Sequence, residues 1–183
     1  MILALALATA TGWCAGSGEQ SPELGSFRMP DTKEEVGPFL DFFMKRFTIL
    51  LDEIKPSMVI FEAPLLPKAT IDAAGYLKQA PTTIATTRKL QGLAGVTEMV
   101  CFQRRLEVRE VGGSTVKKEL GGTGKAGKPD MMAAAKRCCM APKTCDEADA
   151  FGVWLVGVRH YAKPFQGIWD QRLYGGQAGK LNL

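Results

Sequence analysis

The chain has 183 residues, of which 46% are hydrophobic and 23% are charged, so it is long enough for one domain with a sizeable core and is unlike a disordered chain. Its net charge of +4 excludes a strongly acidic or strongly basic protein overall. However, residues 117–143 hold seven basic side chains against two acids, a net +5 that suits a polyanionic partner. The five cysteines lack metal-ligand spacing, which favours reduced thiols.

Residues 1–8, MILALALA, form the predicted first strand. Both of its faces are apolar, which is typical of a strand at the centre of a sheet that is covered on both sides. A turn is predicted at residues 9–12. The apolar N-terminus differs from a signal peptide, because no Lys or Arg precedes Arg28. We therefore expect a cytoplasmic protein.

Two short strands and a long helix are predicted next. Residues 13–15 and 25–29 read as strands that extend the sheet in antiparallel order. A helix begins at Pro38 and ends before Pro56, because proline suits the first turn of a helix and stops one that precedes it. We interpret its apolar stripe at helical spacing as core: Phe39, Phe43, Phe47, Leu50 and Ile54.

A short buried strand at residues 57–61 runs into Glu62. Open α/β sheets bind ligands at the carboxyl ends of their strands, so Glu62 is a candidate site residue. The alternative is a surface acid at a strand end. Residues 63–81 contain three prolines and predict an irregular loop. In this loop Leu65 and Leu66 either fold back onto the core or project as a wedge.

The middle of the chain predicts a helix at residues 83–102, a strand at 106–111, a short helix capped by Ser114 and another helix at 131–140. The segment 121–128, GGTGKAGK, holds four glycines and two lysines. Such a backbone can approach phosphates closely, although the segment lacks the P-loop pattern. A plain flexible loop is the alternative.

Two acids share one face at the start of the last predicted helix. Thr144 and Glu147 have capping-box spacing, which predicts the start of a helix that ends near residue 161. Asp146 and Asp149 are three residues apart and therefore lie on the same face. Acids at a helix N-terminus also complement the helix dipole. That alternative explains Asp146 and Glu147 better than Asp149, since the helix is strongly apolar beyond it.

Four segments of the sequence resemble the RuvC-like Holliday-junction nucleases, which have an RNase H-like fold. The segment ILALALATATGW is similar to the first strand and turn of that family, and MVIFEAP to its Glu-bearing strand. VKKELGGTGKAGK resembles its basic, glycine-rich segment, and DEADAFGVWL its paired-acid helix. The four occur in the family's order and extend over most of the chain. The chain departs from the family at Ala6, where the family has an aspartate.

This resemblance implies an α/β, RNase H-like domain at residues 1–162, with a five-stranded mixed sheet flanked by helices on both faces. Residues 163–183 are then a loosely structured tail. The implied activity is that of an Mg²⁺-dependent endonuclease, a homodimer that resolves four-way or branched DNA by paired cuts. Each active site would hold two Mg²⁺ ions, with Mn²⁺ as a substitute, since converging carboxylates can bind such an ion pair.

The resemblance also implies the role of individual residues. The metal ligands are Glu62, Asp146 and Asp149, with Ala6 at the position of the missing aspartate. The catalytic residues are these three acids and Lys128. The residues expected to contact DNA are Thr9, Thr11, Leu65, Lys118, Lys125 and Lys128, with Leu65 as the apolar wedge that separates bases.

Ala6 determines the expected activity of this chain. Without a carboxylate on the first strand, we expect a protein that binds junctions but is inactive or severely impaired as a nuclease. A natural pseudonuclease and a deliberate Asp-to-Ala change both agree with the sequence. The alternative from a different class is a non-catalytic RNase H-like DNA-binding or interaction domain, in which the acids serve only as helix caps.

Overall fold

A computed structural model of the chain describes residues 1–64, 70–71, 77–78 and 83–174. Its strands in chain order are β1 (Ile2–Ala6), β2 (Ala10–Gly16), β3 (Glu23–Arg28), β4 (Met58–Glu62), β5 (Thr70–Ile71), β6 (Leu77–Lys78) and β7 (Glu107–Val111). Five of them form one sheet in the order β3-β2-β1-β4-β7. The β1-β2 and β2-β3 pairs are antiparallel, and β4 lies parallel to both β1 and β7. The short strands β5 and β6 pair only with each other.

Within the described residues, six α-helices surround the sheet: α1 (Gly37–Ile54), α2 (Ile84–Gln103), α3 (Gly113–Gly121), α4 (Lys128–Arg137), α5 (Cys145–Tyr161) and α6 (Gln166–Tyr174). Helices α1 and α2 cover one face, and α5 covers the other with α3, α4 and α6 packed around it. The predicted five-stranded mixed sheet with helices on both faces is therefore confirmed. No helix in these described ranges is both long and apolar enough to cross a membrane.

The first strand divides the core into two clusters. Side chains alternate across a strand, so Leu3 and Leu5 pack toward α1 and α2, whereas Ala4 and Ala6 pack toward α5. All four are almost fully buried. The predicted aromatic stripe of α1 lies in the first cluster, where Phe43 and Phe47 stack with ring centroids 5.6 Å apart. The central position of the strand and the core role of the stripe thus agree with the sequence analysis.

The predicted turn at residues 9–12 is wrong for its last three residues, which belong to β2. Gly12 pairs with Ala6 across the sheet instead of turning the chain. A β-carbon at Gly12 would meet the backbone oxygen of Asp146 at 1.9 Å. The glycine is therefore required for the close approach of α5 to the sheet, a use of glycine in strands that local sequence does not distinguish from a turn.

Two helix starts also differ from the sequence analysis. Helix α3 begins at Gly113 with Gly112 as its N-cap, so Ser114 lies inside the helix and does not cap it. Helix α4 begins at Lys128, three residues before the predicted start. There the backbone N–H of Gly127 donates to Oδ2 of Asp130 at 2.8 Å, which satisfies a free donor at the helix end.

The tail predicted to be loose is ordered as far as residue 174. Residues Lys163–Phe165 form a 3₁₀ turn that leads into α6. Trp169 of α6 is fully buried, and its ring lies edge-on to Trp154 of α5 at a centroid distance of 4.9 Å. Its Nε1 donates to the backbone oxygen of Gly18 at 2.7 Å. One buried tryptophan thus anchors this segment, while residues 175–183 lie outside the described ranges.

Candidate active site

Three strand ends and the start of one helix meet at a single edge of the sheet. Strands β1, β4 and β7 are parallel, so their carboxyl ends lie together at Ala6, Glu62 and Val111. The pairing of β1 with β4 runs as far as Leu5 with Phe61, so Ala6 and Glu62, the next residue of each strand, both lie at this edge. The contact between Gly12 and the backbone of Asp146 brings the N-terminus of α5 to the same edge.

Glu62 is half-buried at the end of β4, the strand end at which the sequence analysis places it. Burial raises the pKa of its carboxyl group, and the negative charge of Asp149 raises it further. The Lys117 ammonium opposes this rise in the pKa. Glu62 is therefore partly withdrawn from water, whereas a carboxylate fully exposed to water would carry no such desolvation penalty.

Asp149 lies one turn into α5 and is also half-buried. Burial raises its pKa, Lys128 and Lys117 lower it, and the charge of Asp146 raises it. Each of these couplings requires the groups to lie close together, so the structure brings Asp146, Asp149 and Glu62 to one rim. Asp146 and Asp149 thus lie near each other at the start of α5, and their role as metal ligands stays a prediction.

A pocket of about 390 Å³ connects two of these acids to two lysines. Its charged lining consists of Glu62, Asp149, Lys117 and Lys128. Lys128 thus lies where the sequence analysis expects it. Lys117 was missed, because the basic segment was read with Lys118 as the relevant lysine. Helical spacing indicates the position of Lys117. It follows Gly113 by four residues and so lies on the same face of α3, and Gly113 lies against Glu62.

Glu147, between the two site aspartates, serves the fold. It is 5% exposed, and its Oε1 accepts from the Ser26 hydroxyl at 3.1 Å. Its Oε2 accepts from the backbone N–H of Lys143 at 2.6 Å. The Thr144 side chain accepts from the Glu147 N–H, which is one half of the predicted capping box. The other half is not formed, because the Glu147 carboxylate joins β3 to the start of α5.

The predicted DNA contacts have different environments. Thr9 is exposed in the turn between β1 and β2, and Lys118 and Lys125 are exposed on the basic segment. Thr11 is completely buried, and its hydroxyl donates to the backbone oxygen of Ala8 at 3.1 Å. That interaction leaves the Thr11 side chain unavailable for DNA and corrects the prediction. Leu65 lies outside the described residues.

The carboxyl edge of the sheet offers three acids, and a methyl group at Ala6, as surroundings for a divalent cation. Carboxylate oxygens are the donors that Mg²⁺ prefers, so Glu62, Asp146 and Asp149 are of the right chemical type. Nevertheless, nowhere in the described part of the chain do three or more His, Cys, Asp or Glu residues form a group that could hold a metal ion. Ala6 is 6% exposed and brings a methyl group to the rim. The donor chemistry therefore fits, but the number of donors falls short.

Solved structures with the same arrangement of elements exist. RuvC of Thermus thermophilus superimposes with a TM-score of 0.63 at 16% sequence identity, covering 90% of this chain and 96% of its own. The chain has the RuvC fold. RuvC of the same organism in complex with a Holliday-junction substrate gives a TM-score of 0.63 at 17% identity over 91% of this chain and 95% of its own.

The yeast mitochondrial Holliday-junction resolvase Ydc2 is a third structure with the RuvC fold. It superimposes with a TM-score of 0.58 at 11% identity, covering 91% of this chain and 83% of its own. No protein-family model matches the sequence, and no curated protein matches it either. The likeness to RuvC therefore lies in the fold, which confirms the RNase H-like architecture expected from the four sequence segments.

Proposed function

We propose that this chain is a structure-selective DNA endonuclease of the Holliday-junction type, which Ala6 leaves inactive or severely impaired. The observation that carries the proposal is the pocket that joins Glu62 and Asp149 to Lys117 and Lys128 at the carboxyl edge of a RuvC-type sheet. Acidic and basic side chains that converge at the same pocket suit a phosphodiester substrate, because the carboxylates can hold metal ions and the lysines can hold the phosphate.

The three acids would hold the metal. Glu62, Asp146 and Asp149 are proposed as ligands for Mg²⁺, two ions per site in the complete form, with Mn²⁺ as a substitute. When bound, the ions would activate water and stabilise the charge of phosphodiester hydrolysis. Lys128 and Lys117, beside the acids, would hold the scissile phosphate by their positive charge. Ala6 would leave this metal set one carboxylate short.

The basic segment is proposed to bind the arms of branched DNA. Lys118, Lys125 and Lys128 would contact phosphates, and such contacts position DNA without reading its sequence. Thr9, exposed beside the same edge, would add a hydroxyl contact. Leu65 remains the proposed wedge between bases. The solved complex of T. thermophilus RuvC with a Holliday-junction substrate supports this choice of DNA, because that protein has the same fold.

A homodimer is part of the proposal, because paired cuts on a four-way junction match the two-fold symmetry of a dimer. We place the nuclease domain at residues 1–162, with α6 packed against it through Trp169, and the protein in the cytoplasm. The second candidate function is a non-catalytic DNA-binding or interaction domain. Ala6 is the observation that favours it, since the missing ligand removes part of the metal site while leaving the basic surface intact.

The test restores the missing carboxylate. The chain as it stands should bind a four-way junction in preference to a duplex of equal length, and should nick it barely or not at all. Ala6→Asp should give Mg²⁺-dependent nicks on two opposed strands, faster by roughly a thousandfold or more, because a metal bridge stabilises the transition state by several kcal/mol.

Two controls make the result specific. Ala6→Asn has the same size without the charge and should stay inactive, and Glu62→Gln added to Ala6→Asp should abolish nicking again. All variants are checked for folding by their thermal unfolding, because position 6 is buried. If Ala6→Asp folds, binds junctions with Mg²⁺ present and gives no nicks on a denaturing gel, the non-catalytic function replaces the nuclease.

A further inference from the structure

We propose that a pocket at the amino edge of the sheet binds a basic peptide segment of a partner protein. The pocket has a volume of about 380 Å³ and lies between strands β2 and β3 and the last turn of α1. Met1 lines it just before β1, whereas the candidate active site lies at Ala6, at the other end of that strand. The 5 residues of β1 span about 17 Å, so the two sites are separate.

The floor of this pocket is apolar. Ala15 and Leu50 are buried there, and Ile54 and Trp13 are partly buried. A β-carbon at Gly25 would meet the Trp13 ring at 2.5 Å, so the glycine leaves space for the indole to lie across β3. Because ligand pockets are lined mostly by apolar and aromatic groups, this floor suits an apolar side chain of a ligand.

The indole of Trp13 has a donor without an acceptor. Trp154 and Trp169 donate from Nε1 to the backbone oxygens of Gly16 and Gly18, at 3.2 and 2.7 Å. Within the described ranges no acceptor pairs with Nε1 of Trp13, although this residue is partly withdrawn from water. Tryptophan N–H groups usually have a hydrogen-bond partner when they are buried. A carbonyl oxygen of a bound ligand would supply one.

Two carboxylates without a counter-ion line the rim. Glu23 of β3 and Glu53 of α1 take part in none of the six salt bridges that connect described residues. Glu53 lies in the last turn of α1, which holds no basic residue. A helix C-terminus carries partial negative charge, so it favours a cation and disfavours a carboxylate alone. The amino group of Met1, also at this rim, donates to the Ser57 hydroxyl at 3.4 Å. The rim therefore favours a cationic ligand.

The loop that borders the pocket is held in place by the helices on the other face of the sheet. This loop, residues 17–22, follows β2. The oxygens of Gly16 and Gly18 accept the two indole N–H groups described above. The hydroxyl of Ser21, which lines the pocket, accepts from Arg172 of α6 at 3.1 Å. A loop that is already fixed lowers the entropic cost of binding a ligand.

These groups together identify the occupant as a lysine or arginine beside an apolar residue of a peptide. The cation would meet the two carboxylates, the apolar side chain would meet the floor, and a backbone carbonyl would accept from the indole. A free polyamine offers only the cation. The acidic rim disfavours DNA, whose phosphates suit the basic segment at residues 117–143 instead. Such binding goes beyond the proposed nuclease activity and does not depend on it.

Calorimetric titration of the full chain with short peptides tests this site. The probe is the pentapeptide GLKLG, acetylated and amidated at its ends, and the matched control is GLELG. GLKLG should bind with a Kd below about 1 mM, and GLELG should bind at least about tenfold more weakly. Glu23→Gln combined with Glu53→Gln should weaken GLKLG binding by about tenfold, since each exposed ion pair contributes modestly. Glu98→Gln, a change to an exposed acid of α2 outside the pocket, should leave binding unchanged.

Trp13 provides a second, independent measurement. Trp154 and Trp169 are fully buried, so quenching of tryptophan fluorescence by acrylamide reports mainly on Trp13. GLKLG should protect this fluorescence from the quencher. Trp13→Phe keeps an aromatic ring but removes the N–H, so it should weaken peptide binding by about three- to tenfold while the melting temperature changes little.

Four results would overturn the proposal. In the first, GLKLG does not bind at concentrations up to about 1 mM. In the second, GLELG binds as well as GLKLG, and in the third, spermidine binds as tightly and competes with it, which would show a general cation site. In the fourth, GLKLG binds only after removal of residues 175–183, so that this segment, which contains Lys180 and Leu181, would be the occupant. Because the titration contains neither DNA nor divalent ions, none of these results would count against the proposed nuclease.

Discussion

The carboxylate of Glu62 lies so close to Gly113 that a β-carbon at position 113 would meet its Oε1 at 2.3 Å. Gly113 is the first residue of α3, so the carboxylate sits against the N-terminus of that helix. The absence of a side chain at this one position allows the acid to reach the rim of the pocket. Glycine here is needed for space, because its backbone does not adopt the left-handed conformation.

Gly113→Ala should therefore displace the Glu62 carboxylate without unfolding the chain. The clashing atom is the end of a flexible side chain, so the melting temperature should change little. In the Ala6→Asp background, nicking should fall by about 10–100-fold, since a ligand moved by about 1 Å loses its alignment. Gly112→Ala is the matched control, because a β-carbon there would meet nothing within 4 Å. Equal nicking by the two variants would count against a role for the Glu62 position.

The buried charge of Asp149 predicts a pH-dependent stability. Burial raises the pKa of Asp149 in the folded state, so its ionised form destabilises the fold. The destabilisation is absent below the unfolded-state pKa of about 3.9, where the carboxyl is protonated in both states. It grows as the pH rises from the unfolded-state pKa through the folded-state pKa and is fully present above the latter.

Asp149→Asn should accordingly raise the melting temperature at pH 7 in the absence of divalent ions. The gain should shrink as the pH falls and disappear near pH 3. Asp41→Asn, on the exposed surface of α1, should change stability by no more than about 0.5 kcal/mol at either pH. A lower melting temperature for Asp149→Asn at pH 7 would show that the carboxylate makes a stabilising contact instead.

Salt dependence tests the basic segment. Lys125 and Lys128 are exposed at and before the start of α4, and Lys128 also lines the pocket. Changing both to Ala should weaken junction binding and flatten the plot of log affinity against log salt by one to two units, roughly one for each lost phosphate contact. Lys45→Ala on α1, which covers the other face of the sheet, should leave the slope unchanged. An unaltered slope in the double variant would remove this segment from the DNA interface.

The sequence was sufficient for the parts of the fold that depend on local pattern. Unbroken apolar character placed β1 at the centre of the sheet, and helical spacing placed Phe43 and Phe47 in the core. Local pattern also located Glu62 at the end of a strand and Asp149 on the same helix face as Asp146. Both predictions depend only on neighbouring residues and not on the rest of the chain.

The errors come from contacts between distant residues. Gly12 was read as part of a turn, but its role depends on the Asp146 backbone that packs on it. Trp169 lies in a glycine-rich tail that lacks any periodic signal, and its burial depends on Trp154 and Gly18. Thr11 resembled a DNA contact only until its burial was known. For Gly12 and Trp169 the partner lies far away in sequence, where neither helix or strand propensity nor residue spacing indicates it.

Asp146 and Glu147 are adjacent acids at the start of α5, and we expect them to have different roles. Glu147 is buried and accepts from both Ser26 and the Lys143 N–H, whereas Asp146 is partly exposed and acts on Asp149 through its charge. Glu147→Ala would leave a partly buried N–H without its acceptor, at a cost of about 1–3 kcal/mol. For a chain of this size, each kcal/mol corresponds to about 2–4 °C in melting temperature.

Glu147→Ala should therefore lower the melting temperature by several degrees. In the Ala6→Asp background, the folded fraction of this variant should nick junctions at close to the rate of the parent protein. Asp146→Ala should show the reverse, with a small change in melting temperature and a loss of Mg²⁺-dependent nicking. Ser26→Ala removes only one of the two donors to Glu147 and should lower stability by about 1 kcal/mol. Thermal unfolding and nicking rates on the same preparations separate the two roles. If Asp146→Ala destabilises the chain as much as Glu147→Ala and spares nicking, Asp146 is a helix cap, as the alternative interpretation of these acids holds.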